Sequence, residues 1–137
     1  MTTGFPLDDR LAADTHHVGD LPLCRVLLMR DRRYAWLVLV PRRPGMVEVA
    51  DLSEADRAAL WREVDVAGAA LRAVAPCDKL NIGALGNIVR QLHVHVVARV
   101  AGDAAWPGPV WGHSPAEAYV ESELVTRVQA LKEALKL

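Results

Sequence analysis

The sequence predicts an α+β fold, in which an antiparallel sheet carries its helices on one side. Segments with strand and helix periodicity follow one another as hairpin, helix, strands and helix, without the regular alternation of a parallel β/α fold. One of the strand segments is apolar on a single face only, which is typical of an antiparallel sheet covered on that face. The chain has 137 residues, so we expect one domain over residues 1–137.

A β-hairpin is predicted in the first third of the chain. Cys24–Met29 and residues 34–40 are apolar runs, and the charged residues 31–33 lie between them. Because the second run is apolar on both faces, we expect its strand to lie inside the sheet. Pro41 is expected to end that strand.

Three helices are predicted. A short one covers residues 8–14, and a loop is expected after it over residues 14–20. The first long helix opens at Ser53, a favourable N-cap, and the second opens at Ser114, which is followed by a proline and a capping-box glutamate. Both long helices have an apolar stripe at spacings of three and four. The stripes consist of Leu60, Val64, Ala67, Leu71 and Val74 in the first and of Val120, Leu124, Val128, Leu131 and Leu135 in the second.

Composition and charge argue against several classes of partner. The formal net charge is −1 with acids and bases interspersed, so no basic surface for a nucleic acid is expected. Cys24 and Cys77 stand alone, which favours buried thiols in a reducing compartment over the alternative of a disulfide. No apolar run is long enough to span a membrane and no signal-peptide pattern is present, so we expect a cytoplasmic protein without a membrane partner.

The segment of residues 90–99, RQLHVHVVAR, is the most informative one in the chain. It alternates strictly, with one purely apolar face and one polar face that carries His93 and His95 about 7 Å apart at the Cα level. Imidazole is at once a base, an acid and a nucleophile near neutral pH. The alternative is a histidine pair on the wetted face of a sheet. The apolar opposite face and the Gly/Asn-rich approach over residues 80–87 favour a functional site. The apolar face consists of Leu92, Val94, Val96 and Ala98.

Residues 91–97, QLHVHVV, resemble the signature of the histidine triad (HIT) superfamily, His-φ-His-φ-His-φ-φ, with Gln91 in the first histidine position. Four other segments also resemble the family. Pro41-Arg42-Arg43-Pro44 resembles the end of its hairpin, and Asp51-Leu52-Ser53 resembles the entry to its first long helix. Asn81 with Gly86-Asn87 resembles the residues upstream of the triad, and Trp106-Pro107 resembles those downstream of it. The resemblance covers roughly residues 25–112 and is greatest to bacterial HIT proteins of the diadenosine polyphosphate hydrolase type.

The resemblance implies a sheet of about five antiparallel strands with two long helices and a short N-terminal helix, usually in a homodimer. It implies a nucleotide-binding hydrolase or transferase that cleaves the α-phosphate linkage of a dinucleoside polyphosphate or a nucleoside phosphoramidate. By position, His93 would be the nucleophile that forms a nucleotidyl-histidine. His95 would donate to the phosphate oxygens and the departing group, and Gln91 would support them. The resemblance implies no cofactor, although Mg²⁺ could accompany a polyphosphate substrate.

The resemblance also suggests substrate-binding residues, each with a structural alternative. Asn81 and Asn87 would contact ribose and phosphate, or simply form turns. Arg30 lies where relatives contact the ribose, or is a plain exposed arginine. Trp106 would cover the nucleotide or pack its loop onto the body. For Arg99, a structural or solvated salt bridge is favoured over a phosphate contact.

Two departures from the family pattern leave rival functions open. Gln91 cannot exchange a proton, and Ile88 stands where many relatives carry a hydroxyl residue that assists the leaving group. A nucleotide-binding module with weak catalysis is therefore the second hypothesis. The third is a zinc site formed by His93 and His95 with His16 or His17, although no carboxylate or cysteine lies at a supporting spacing.

Overall fold

The structure, a computed structural model, describes residues 5–137. It has the α+β architecture that the sequence predicts, with five strands, two long helices and a short first helix. Among the described residues, no helix is both long enough and apolar enough to cross a membrane. In chain order the elements are α1 (Asp9–Asp14), β1 (Thr15–Asp20), β2 (Cys24–Met29), β3 (Ala35–Pro41), a 3₁₀ turn (Val49–Asp51), α2 (Glu54–Val74), β4 (Lys79–Gly83), β5 (Val94–Arg99) and α3 (Glu121–Leu135).

All neighbouring strands are antiparallel, in the order β1-β2-β3-β5-β4. The predicted hairpin is β2–β3, and β3 lies in the middle of the sheet with every residue buried, as its two-sided apolar pattern indicates. β5 pairs with β3 on one side and with β4 on the other. The histidine strand therefore has a hydrogen-bonded neighbour along both edges, which makes it a rigid support for side chains.

The main core lies between one face of the sheet and the two long helices. Alternate residues of β3 and β5, such as Leu37 and Val96, pack there against Leu60 and Leu71 of α2 and Leu131 of α3. The predicted apolar face of the histidine strand is confirmed, because all four of its residues belong to this core. The side chains at odd positions of β5 consequently face away from the long helices.

A second, smaller cluster covers the opposite face of the sheet. Leu11 of α1 and Val110 of the loop 101–112 pack there on Trp36, Val38 and Val97. The histidine face is thus covered by α1 and by the loop that contains the Trp-Pro pair, so the prediction of helices on one side of the sheet holds for the two long helices and not for α1. Both histidines consequently lie in an enclosed environment and not on an open sheet surface.

Residues 15–20 form an edge strand, so the predicted loop there was wrong. The polar sequence THHVGD hides the strand, but Thr15 and Val18 are buried and the segment pairs with β2, with an irregularity between His17 and Gly19. Backbone hydrogen bonds to β2, which depend on the tertiary structure, outweigh the weak local strand signal.

The second long helix begins at Glu121, later than the predicted start at Ser114. The Ser114 hydroxyl accepts a hydrogen bond from Arg33 at 2.6 Å, and the Arg32 amide donates to the Glu117 carbonyl at 2.8 Å. The tip of the β2–β3 hairpin therefore holds residues 114–120 in a non-helical conformation, and the capping motif in the sequence is not used.

Candidate active site

The two histidines lie at the floor of a cleft of about 720 Å³ between α1 and residues 85–89. Trp36 of β3 shares the floor with His93 and His95, and Trp111 of the loop 101–112 closes one side. The volume lies within the range of small-molecule sites, which is roughly 300–1,000 Å³. The fold thus brings the sequence-predicted histidine pair together in a cavity that can hold a small ligand.

His93 stands immediately before β5, and its ring is fixed by the chain itself. Its Nδ1 lies 2.6 Å from the backbone carbonyl oxygen of Gln91. Since a carbonyl oxygen only accepts hydrogen bonds, Nδ1 must carry the proton and donate it. In the neutral ring, Nε2 of His93 then has a lone pair, which is the form that a base or nucleophile needs.

His95 has the opposite tautomer. The indole Nε1 of Trp36 donates a hydrogen bond to Nδ1 of His95 at 3.0 Å, and an indole N–H is a donor only. Nδ1 of His95 is therefore unprotonated and its Nε2 carries the proton. The centroids of the two rings are 4.9 Å apart. The Nε2 lone pair of His93 and the Nε2–H of His95 therefore belong to the same site.

Burial keeps His95 neutral. Its residue is 6% exposed, and Trp36 and Trp111 flank the ring with centroid distances of 5.7 and 5.5 Å. Loss of hydration lowers the pKa of His95 to about 3, and the neighbouring His93 contributes in the same direction. His95 is thus a neutral hydrogen-bond donor near neutral pH.

The low pKa of His95 predicts a pH-dependent loss of stability. The unfolded chain takes up a proton at this residue below pH 6.5, whereas the folded chain does so only at about 3. The free energy of unfolding should therefore fall with decreasing pH in this window, by up to about 1.4 kcal/mol per pH unit. Urea unfolding between pH 7.5 and 4.5 should show that His95→Gln lacks this part of the dependence of the free energy of unfolding on pH. The control variant His17→Gln, at an exposed position of β1, should keep it. Equal slopes for all three proteins would contradict the assignment.

Trp111 reaches the site because Gly83 leaves room for it. Gly83 pairs in register with His95, and a Cβ atom built on Gly83 would lie 3.2 Å from Cη2 of Trp111. The Trp111 Nε1 atom is buried without a hydrogen-bond partner among the described residues. Nothing in the sequence indicated Gly83 or the partnership of Trp36 with His95.

The remaining walls of the cleft are mostly apolar. Its apolar lining includes Leu11 of α1, Met29 of β2, Leu85 and Val89. Arg10 and Asp14, one helical turn apart on α1, add charge at the rim. The contribution of α1 to the cleft was not predictable, because the sequence of a short helix does not indicate the surface on which the helix packs.

The other sequence-predicted residues divide between the cleft and its surroundings. Asn87 lines the cleft, whereas Asn81, Arg30 and Trp106 do not. Asn81 accepts a hydrogen bond from Arg99 at 2.8 Å, and Arg30 Nη1 lies 3.1 Å from Nε2 of His16. Trp106 covers the Arg99 guanidinium at 5.6 Å.

Arg99 forms the structural salt bridge that was expected for it. Two of its nitrogens donate to the Asp103 carboxylate at 2.8 Å, and its side chain is 1% exposed. The ion pair anchors the loop 101–112 to the end of β5.

Gln91 holds the segment that leads into α1. Its side-chain oxygen accepts from the Asp8 amide and its side-chain nitrogen donates to the Pro6 carbonyl, both at 2.8 Å. The Gln91 side chain does not line the cleft, although its backbone carbonyl orients His93.

Metal binding finds no support in the described part of the chain. Residues 5–137 contain no group of three or more His, Cys, Asp or Glu side chains that could hold a metal ion. His16 and His17 lie on β1, which β2 and β3 separate from the histidine strand.

Fold and site together define a class of protein, and the comparisons agree with it. The chain belongs to the histidine triad family, whose HIT domain model matches residues 10–102. No curated protein matches the chain.

Three solved structures are similar over nearly the whole chain. A histidine triad protein from Bradyrhizobium japonicum is 48% identical, with a TM-score of 0.94 over 96% of this chain and 98% of that one. One from Sinorhizobium meliloti is also 48% identical, with a TM-score of 0.94 over 98% and 99%. One from Marinobacter aquaeolei is 42% identical, with a TM-score of 0.93 over 96% of each chain.

Proposed function

We propose that this chain binds nucleotides and cleaves the α-phosphate linkage of a nucleoside 5′-phosphoryl compound, as a hydrolase or nucleotidyl transferase. The observation that carries the proposal is the pair of opposite tautomers in one cleft, a lone pair on Nε2 of His93 beside an N–H on Nε2 of His95. Nucleophilic catalysis at phosphorus needs an attacking atom and a donor for the phosphate oxygens at the same place.

The first step forms a bond between Nε2 of His93 and the α-phosphorus. The bond from phosphorus to the leaving group breaks, and its electron pair departs with that group. The attacking ring becomes cationic, and the Gln91 carbonyl at 2.6 Å from Nδ1 stabilises this charge. Water then attacks the α-phosphorus of the nucleotidyl-histidine. The P–N bond breaks, its electron pair returns to Nε2 of His93, and a proton of the attacking water passes to solvent. This releases the nucleoside monophosphate and restores neutral His93.

His95 and Asn87 suit the phosphate in this scheme. The Nε2–H of His95 donates to a non-bridging oxygen, and the Asn87 amide at the cleft wall can donate to another. The apolar walls formed by Leu11, Met29 and Leu85 suit the base of the nucleoside. The site requires no bound metal for these contacts, and Mg²⁺ would enter only with a polyphosphate substrate.

The departure at Gln91 is compatible with this chemistry. Its side chain is engaged with Pro6 and Asp8, and the contact that matters to His93 comes from its main chain. A glutamine therefore supports the reaction by holding the segment in front of α1, without exchanging a proton.

A homodimer is also proposed, in line with the family. β4 is an edge strand of the sheet, and its Ile82 is 45% exposed. Edge strands that lack a cover are prone to pair with another chain. Sedimentation equilibrium is expected to give twice the chain mass, and a monomer at all concentrations would contradict the dimer.

The proposed activity is tested by product analysis with diadenosine tetraphosphate and an adenosine 5′-phosphoramidate. AMP is expected from at least one of them with the wild-type chain and not with His93→Ala. The second candidate, a binding module, is favoured by Ile88, which lies at the cleft with 76% exposure and has no hydroxyl for a leaving group. Nucleotide binding without His93-dependent AMP release would establish that candidate instead.

A further inference from the structure

The hydrogen bond from Trp36 to His95 restricts what His95 can do to a leaving group. A general acid gives up a proton in the reaction, and an imidazole does so easily only from its doubly protonated form. That form would place a second proton on Nδ1 of His95, directly opposite the indole N–H of Trp36 across a distance of 3.0 Å. The structure therefore provides His95 as a fixed donor at Nε2 and not as an acid.

The neighbours of His95 offer no proton in its place. The rings beside His95 are those of His93, of Trp36 from β3 and of Trp111 from the loop 101–112, and its register partners on β3 and β4 are the non-ionisable Val38 and Gly83. Of these only His93 has an imidazole, and its Nδ1 proton is directed at the Gln91 carbonyl while its Nε2 forms the new bond.

Among residues 5–137, the rest of the cleft lining also lacks an acid for the leaving group. Asn87 is a neutral amide and Ile88 is apolar. At the rim, the Arg10 guanidinium is a hydrogen-bond donor only and the Asp14 carboxylate an acceptor only. A departing group must therefore accept its electron pair without receiving a proton from the described residues of this cleft.

We propose that this site selects nucleotidyl substrates whose leaving group departs as a stable oxyanion, and discriminates against amine leaving groups. The inference rests on the proposed function and narrows its substrate class to phosphoanhydrides and acidic phosphate esters. When the P–O bond breaks, the electron pair stays on the bridging oxygen, and the group leaves as a phosphate or aryloxide anion. When a P–N bond breaks, the same pair would leave on nitrogen, and the amine needs a proton that the site does not supply.

The expected size of the discrimination follows from the missing acid. General acid catalysis is typically worth about 10²–10⁴ in rate. The test compares adenosine 5′-(phenyl phosphate) with adenosine 5′-(N-phenyl phosphoramidate), which differ only in O or NH at the bridge. We expect kcat/KM for the ester to exceed that for the phosphoramidate by about 10²-fold or more. Esters of more acidic phenols should react progressively faster.

The outcomes separate this inference from the function on which it rests. Release of AMP from the phosphoramidate at an equal or higher rate, still lost in His93→Ala, would overturn the leaving-group preference and leave the proposed function intact. The absence of His93-dependent release from both compounds would overturn both.

Trp36→Phe tests the cause of the preference, because it retains an aromatic ring and removes the N–H donor. A proton on Nδ1 of His95 is then no longer opposed by the indole N–H, although burial still lowers the pKa of the ring. The ester-to-phosphoramidate ratio should therefore fall at acidic pH, by about tenfold or more, within the range that a general acid supplies. The phosphoramidate rate should also rise as the pH is lowered. Trp61→Phe, at a half-exposed position on α2, is the matched control and should keep the wild-type ratio and pH profile. A ratio unchanged in Trp36→Phe would contradict the role of the indole.

Discussion

Replacement of His93 by alanine is expected to lower kcat/KM for AMP release by about 10⁴-fold or more, as the loss of a covalent nucleophile does in other enzymes. The expectation follows from the site, where Nε2 of His93 is the basic atom at the floor of the cleft and His95 presents a proton. Nucleotide affinity should change little, because the walls of the cleft and the donor on His95 remain.

Two further variants test whether the loss of AMP release is specific to the imidazole of His93. His17→Ala changes an exposed histidine on β1 and should retain wild-type turnover. His93→Gly leaves space for an imidazole, and added imidazole should partly restore AMP release. Turnover in His93→Ala within about tenfold of the wild-type rate would rule out the nucleophile, since covalent catalysis is worth far more than that.

Asp103→Ala is expected to lower the free energy of unfolding by about 3 kcal/mol, because it leaves the buried Arg99 charge without its partner. The Arg99 guanidinium lies between the rings of Tyr34 and Trp106, at 5.8 and 5.6 Å. Asp103 also accepts from the amides of Val100 and Trp106, at 3.2 and 3.0 Å. Its loss therefore also removes the anchor of the loop that carries Trp111 to the site.

An exposed ion pair provides the control for Asp103. Asp20 accepts two hydrogen bonds from Arg25 at the surface, at 3.0 and 3.3 Å. Asp20→Ala should cost less than about 1 kcal/mol in chemical denaturation, because surface ion pairs contribute little. Equal losses in the two variants would contradict the view that the Arg99–Asp103 pair stabilises the fold through its burial.

Much of the fold was predictable because its strongest signals are local. The alternation in β5 and the two-sided apolar run of β3 follow from burial on one face or on both, and the structure confirms both patterns. β1 was missed because its stability comes from hydrogen bonds to β2, which the polar residues His16 and His17 do not reveal. The start of α3 was misplaced because Arg33 takes the Ser114 hydroxyl that would have capped the helix.

The candidate site was predictable only in part. Spacing alone places His93 and His95 on one face of a strand, but the tautomer of His95 depends on Trp36, which is 59 residues away in the chain. Sequence pattern could not separate Asn81 from Asn87 either. Only the three-dimensional structure assigns Asn81 to the Arg99 ion pair and Asn87 to the cleft.

The nucleotidyl-histidine is tested most directly by trapping it. The wild-type chain is mixed with excess substrate, quenched in alkali, in which phosphorus–nitrogen bonds to histidine survive, and analysed by intact-mass and peptide mass spectrometry. We predict one adenosine 5′-phosphoryl group per chain, located on the peptide that contains His93 and absent from His93→Ala. Active protein that carries no such group, or carries it on a residue other than His93, would contradict the account.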